Sequence, residues 1–140
     1  MNDKDFQIER NILKIGNQII NQRTDDLKSY NLTSNQSETL LFFDQNRGAI
    51  LLDLKEYLKI SHQAARNIVE RMKDKGLLYV AVSDTDGRAR KVYLTEKGRE
   101  ICLKLKSRAS YIGSNLLAGF TDQEKDQLAG FLDRILNNLW

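Results

Sequence analysis

The stretch that decides the fold is ISHQAARNIVERMKDKGLLYVAVSDTDGRARKVYLTEKGRE, residues 60–100. It reads as a capped helix, a glycine stop, a basic β-hairpin and a second helix start. Ser61 is a good N-cap, because its hydroxyl accepts a hydrogen bond from a free backbone N–H of the first turn. Residues 62–75 carry Ala65, Ile68, Val69 and Met72 at helical spacing. Lys73 and Lys75 sit in the last turn, where cations suit the helix dipole, and Gly76 follows as the residue that leaves the helix. Residues 77–82 then have strong β-propensity, and Asp86-Gly87 is a hairpin-turn signal. The return strand, 88–94, is basic near the turn and apolar further away. A helix followed by a hairpin with cations at its tip is a device for gripping nucleic acid. The helix enters a major groove, and the tip reaches phosphates or the minor groove.

Working outward, residues 4–30 form a first helix, with Phe6, Ile8, Ile12, Ile15, Ile19 and Ile20 at roughly helical spacing. Thr33-Ser34-Asn35-Gln36 is a capping box that opens a helix to about Gln45. Asn46-Arg47-Gly48 is a turn, and 49–58 is a short helix. Beyond the hairpin, Thr95 caps a long helix with Ile101, Leu105, Ala109, Ile112 and Leu116 on one stripe. Gly119 and Phe120 end it. Thr121-Asp122-Gln123-Glu124 is another capping box, and the last helix carries Leu128, Phe131, Leu132, Ile135, Leu136 and Leu139. The order is α–α–α–α–β–β–α–α, mainly α with a small β-hairpin wing. Residues 33–98 outline a winged helix-turn-helix. The apolar stripes of 1–32 and 99–140 exceed what so small a domain covers, and the simplest cover is a second copy, giving a helical dimerisation region within a single compact chain.

At 140 residues the chain is of single-domain size, and the absence of proline leaves the long helices free of an obligatory kink. The net charge of +3 is mild, but its distribution is not even. Between Arg66 and Lys97 eight basic residues face five acidic ones, which is the whole of the chain's excess. Locally concentrated cations are what phosphate binding needs. One cysteine, Cys102, excludes an intramolecular disulfide framework and fits a reducing cytosol. A cationic and apolar leader and a membrane-length apolar run are both lacking, so the expected location is cytoplasmic, bacterial-type and DNA-associated, with no membrane partner.

The motifs Leu32-Thr33, Gln36, Leu40, Ser61 to Gly76-Leu77, and above all Asp86-Gly87-Arg88-Ala89 followed by Val92-Tyr93-Leu94-Thr95-Glu96-Lys97-Gly98, resemble the multiple-antibiotic-resistance regulator (MarR) family of bacterial transcription factors. The resemblance covers nearly the whole length in element order. It implies a homodimer that binds a pseudo-palindromic double-stranded operator, usually as a repressor, often relieved by a small ligand or by oxidation. Three departures stand out. Ile50-Leu51-Leu52 opens the third helix where the family is more polar, and Lys55 stands where alanine is common. Lys59 fills the helix–helix turn where glycine often appears; a left-handed lysine there costs on the order of 1 kcal/mol, so the turn has the alternative of another conformation.

Within the recognition helix, His62, Gln63, Arg66, Asn67 and Arg71 are the candidate DNA-binding residues. Gln, Asn and Arg make bidentate contacts to adenine or guanine edges. In the wing, Arg88, Arg90 and Lys91 are the candidates, with Asp86 and Gly87 positioning them. Arg88 and Arg90 share a face with Val92 and Leu94, so the apolar pair anchors the strand while the arginines project. Tyr30, Phe42, Phe43 and Tyr57 are candidate lining for a small aromatic or hydrophobic effector between the dimerisation region and the winged domain. Cys102 is the candidate redox residue, weighed against its reading as a buried small hydrophobe; peroxide-sensing members of the family it resembles carry their reactive cysteine near the N-terminus, where this chain has none. His62 is the only histidine, so no metal and no cofactor are expected. With no phosphate loop and no nucleophile–histidine pair, an enzyme is a poor reading. The alternatives to an operator-binding regulator are a winged-helix protein-interaction scaffold and a Cys102-based redox-responsive regulator.

Overall fold

The computed structural model describes residues 3–82 and 90–139, arranged as α1 (Asp3–Ser29), α2 (Ser34–Gln45), α3 (Leu51–Leu58), α4 (His62–Asp74), β1 (Leu78–Val82), β2 (Arg90–Leu94), α5 (Glu96–Leu116) and α6 (Asp122–Leu139). The chain divides into two compact units, Met1–Ser107 and Arg108–Trp140.

Local chemistry sets the element ends in the first unit. At α2 the capping box forms as expected: Gln36 N donates to Thr33 Oγ1 at 3.1 Å, and Thr33 N donates to Gln36 Oε1 at 3.2 Å. At α4 the Ser61 hydroxyl accepts from Ala64 N at 3.0 Å. Two bonds close the other end of α4, Gly76 N to Lys73 O and Leu77 N to Met72 O, both 2.9 Å, with Gly76 at φ +76°. This is a Schellman ending, and it requires the left-handed backbone that glycine adopts without strain.

Two expectations are corrected here. The third helix begins at Leu51, two residues later than its apolar run begins. Ala49 O instead accepts from Val92 N at 2.9 Å, so Ala49 is held against β2 before the helix starts. The Asp53 carboxylate accepts from Ile50 N at 2.9 Å and closes the first turn in place of an N-cap side chain. Lys59 does adopt the left-handed conformation, φ 56° and ψ 48°, rather than an alternative turn. Its N–H and that of Ile60 both return to Lys55 O, which offsets the conformational cost.

The hairpin pairs Leu78 with Leu94, Val80 with Val92 and Val82 with Arg90. Leu78, Val92 and Leu94 enter a core that also contains Leu40, Phe43, Leu54, Ala65 and Met72. The stripe of α4 is thus buried as its spacing predicts, with Val69 beside Ala65 and Met72. The join between hairpin and α5 is tight. Thr95 N donates to Leu77 O at 3.0 Å and its hydroxyl donates to Gly76 O at 2.6 Å. Gly98 N in turn donates to Thr95 Oγ1 at 3.0 Å.

By contrast, α1 has no buried residue within the chain; Phe6, Ile8, Ile12, Leu13, Ile15 and Ile20 are exposed. In the second unit, α6 opens with the Thr121–Glu124 capping box, bonds of 2.9 and 3.1 Å, and also has no buried residue. Its Phe131, Leu132, Ile135, Leu136 and Leu139 face solvent. Among the described residues, no helix is long and apolar enough to cross a membrane.

Candidate nucleic-acid interface

The α3–turn–α4 arrangement leaves one side of α4 in the core and the other in water. His62, Gln63, Arg66, Asn67 and Arg71 are all exposed. Gln63 Nε2 donates to Asn67 Oδ1 at 3.2 Å, an i, i+4 pair that holds two amides side by side. The shared bond leaves the Gln63 acceptor and the Asn67 donors unused by each other, the pair of groups that an adenine edge complements.

Two hollows flank this face. Toward the wing, Arg66, Lys73 and Arg90 surround an apolar floor of Val69, Val80 and Val92, with Glu70 among them; the volume is about 420 Å³. Glu70 is engaged with Lys73 at 3.5 Å, so Arg66 and Arg90 carry the local positive charge. Strand alternation places Arg90 here, two residues from buried Val92, as its spacing predicts. Toward α2, Asn67 and Arg71 line a second hollow of about 540 Å³ with Ser34 and Asn35. The sequence reading missed Ser34, Asn35 and Lys73. The capping box marks Ser34 and Asn35 as a helix start with free N–H groups, but only the packing of α2 across α4 brings that start beside the recognition helix.

Not all predicted residues converge. Lys91 alternates away from Arg90, pairs with Ala81, and lies near Gly48 and Tyr93 on the other face of the hairpin. Asp86, Gly87 and Arg88 lie outside the described residues. Of the four candidate effector aromatics, Phe42 and Phe43 meet edge to face at 5.2 Å. Phe43 is core, 1% exposed. Phe42 stacks on Tyr57 at 4.8 Å, the Tyr57 hydroxyl donates to Glu38 at 3.2 Å, and Tyr30 lies 6.0 Å from the Lys104 ammonium. A different cleft, of about 190 Å³, opens beside Tyr79, Tyr93, Arg47 and Arg99. Tyr79 and Tyr93 stack there at 5.5 Å across the hairpin.

Cys102 is 1% exposed and packs in the core; burial, then the nearby Asp44 carboxylate, raises its thiol above the usual range. A sensor thiol needs the opposite, exposure and a lowered pKa. The redox reading is therefore corrected in favour of the small buried hydrophobe. Among the described residues, no group of three or more His, Cys, Asp or Glu side chains has the geometry to hold a metal ion.

A capped helix that presents amides and guanidiniums, beside a hairpin that adds a cation to the same side, defines a winged helix-turn-helix protein. Residues 30–89 match the model of the MarR family. Over 114 residues the chain is 25% identical to an uncharacterized HTH-type transcriptional regulator, YybA, of Bacillus subtilis (strain 168), covering 81% of this chain and 76% of that protein. Staphylococcus aureus MepR in its DNA-binding conformation superposes with a TM-score of 0.84 at 20% identity, over 95% of this chain and 98% of that one. A putative MarR family transcriptional regulator from Listeria monocytogenes, complexed with 26mer DNA, superposes with a TM-score of 0.81 at 24% identity, over 93% and 87% of the two chains. At these identities the structural likeness establishes a shared fold along nearly the whole chain.

Proposed function

We propose that this chain is a homodimeric, sequence-specific DNA-binding transcriptional regulator that represses nearby genes and is released by a small-molecule effector. One observation carries the reading: the exposed face of α4 joins the Gln63–Asn67 amide pair to Arg66 and Arg71, and Arg90 of β2 borders the same face. Amides and guanidiniums on one helix match the groove edges of bases, while the flanking cations suit phosphates. Residues 33–98 act as the DNA-binding domain, and 1–32 with 99–140 as the dimerisation region. The exposed apolar stripes of α1 and α6 support that division, because such faces are stable in water only when covered. In this reading Arg88 is a DNA-binding residue supported by Asp86 and Gly87, as their sequence pattern implies, and the protein works in the cytoplasm. A small aromatic or hydrophobic effector suits the rings around Phe43, which meets Phe42 and also lines the cleft of Tyr79, Tyr93, Arg47, Arg99 and Asp44.

The test is selection of bound duplexes from a random pool, followed by sedimentation of the free protein. An enriched palindromic sequence and a mass twice that of the chain are expected. A monomer that enriches no sequence refutes the proposal and leaves a protein-interaction scaffold.

A further inference from the structure

The Lys75 ammonium is used inside the molecule. It caps the C-terminal end of α4, yet its Nζ donates to Gln36 Oε1 at 3.0 Å and to the carbonyl of Asn31. Both partners are unusual. Asn31 is the left-handed residue of the α1–α2 corner, φ 55°. Gln36 is a buried polar residue, and the same Oε1 already receives Thr33 N at 3.2 Å as part of the α2 capping box. One charged donor thus closes the last turn of the recognition helix onto the corner that joins α1 to α2. The backbone at Lys75 is held as well: Lys97 Nζ donates to Lys75 O at 3.4 Å. Charge-assisted hydrogen bonds of this kind are roughly twice as strong as neutral ones.

Next to this tie, Arg71, Asp74, Lys28 and Thr33 line a hollow of about 550 Å³ that also borders Lys75. Arg71 is exposed, whereas Lys75 is half-buried and committed to two acceptors. The two cations of one helix end therefore have separate tasks, one facing outward and one facing in.

We propose that Lys75 is a positioning residue for DNA recognition: its ammonium locks α4 to the Asn31–Gln36 corner and so fixes the angle at which Gln63, Arg66 and Asn67 are presented, without itself meeting a phosphate. The inference rests on the DNA-binding reading of α4. It also makes α1 a lever on the recognition helix, since Asn31 follows directly on its last turn.

The experiment compares the full-length wild type with Lys75→Met, which keeps the length and removes the donor, and with Lys75→Arg, which keeps charge and donors. Amide hydrogen exchange without DNA should show faster exchange across residues 31–36 in Lys75→Met. Anisotropy titrations with a selected duplex over a salt series should show an affinity about tenfold weaker at every salt concentration. The slope of log K against log salt should be unchanged, because no counterion-releasing contact is lost. Lys75→Arg should recover most of the affinity. A slope shallower by about one phosphate contact makes Lys75 a DNA ligand and overturns the proposal. So does wild-type affinity in a Lys75→Met protein that folds by circular dichroism. If Lys75→Met does not fold, Lys75→Ala, which also lacks a side-chain donor, replaces it with the same expected outcomes. A wild type that binds no duplex overturns the DNA reading itself, and the positioning role falls with it.

Discussion

Gly98→Ala should destabilise this protein by about 2–4 kcal/mol, although alanine is the better helix former. An added Cβ at residue 98 would lie 2.2 Å from Leu77 O and 3.1 Å from Leu77 C. Both are backbone atoms of the α4–β1 junction, so no side chain can swing aside. Relief requires the start of α5 to move away from Leu77. That movement breaks the bond from Thr95 N to Leu77 O, 3.0 Å, and the one from the Thr95 hydroxyl to Gly76 O, 2.6 Å. Two hydrogen bonds at about 1 kcal/mol each, with about 1–3 kcal/mol for overpacking, outweigh the gain of about 1 kcal/mol in helix propensity. Urea unfolding at one fixed chain concentration, followed by circular dichroism, reads the loss. Gly130→Ala in α6 is the control, because an added Cβ there meets nothing within 4 Å. It should be neutral or stabilising by up to about 1 kcal/mol. A Gly98→Ala protein as stable as the wild type would refute the claim that close approach, not helix termination, is the reason for this glycine.

Three further outcomes are expected. Ser61→Ala should cost about 1 kcal/mol in the same assay, since the bond to Ala64 N is lost, while Ser61→Asn should restore most of it. Arg90→Ala should lower the salt slope of duplex binding by about one, whereas Gln63→Ala should relax preference at one base pair by about 1–3 kcal/mol with the slope intact; identical effects from both would sink the division into phosphate and base contacts. Cys102 should resist alkylation at mildly alkaline pH in the folded protein and react fully in denaturant. Its raised pKa also means that its contribution to stability is full below the pKa of the unfolded thiol and is lost as pH rises through the folded value; an alkylation rate like that of a free thiol would contradict the burial argument.

What the amino-acid order determined on its own was mostly local. The Thr33–Gln36 and Thr121–Glu124 boxes, the Ser61 cap and the Gly76 stop depend on hydrogen bonds within a few residues, so residue type at fixed spacing was sufficient to place them. The buried stripe of α4 was legible for the same reason, because helical period alone aligns Ala65, Val69 and Met72. Tertiary structure decided everything that needed a neighbour distant in the chain. Ala49 looked helical until Val92 N claimed its carbonyl, and Lys59 took a left-handed turn because α3 and α4 had to meet at that corner. Lys91 left the helix side because strand alternation turned it away, even though its charge matched that of Arg90. Phe42, Phe43 and Tyr57 became one ring cluster only through the packing of α2 and α3, and Lys75 read as a helix-dipole cation until Asn31 and Gln36 came within its reach. Periodicity and capping are short-range, whereas charge and aromaticity acquire a role only from the partners that packing supplies.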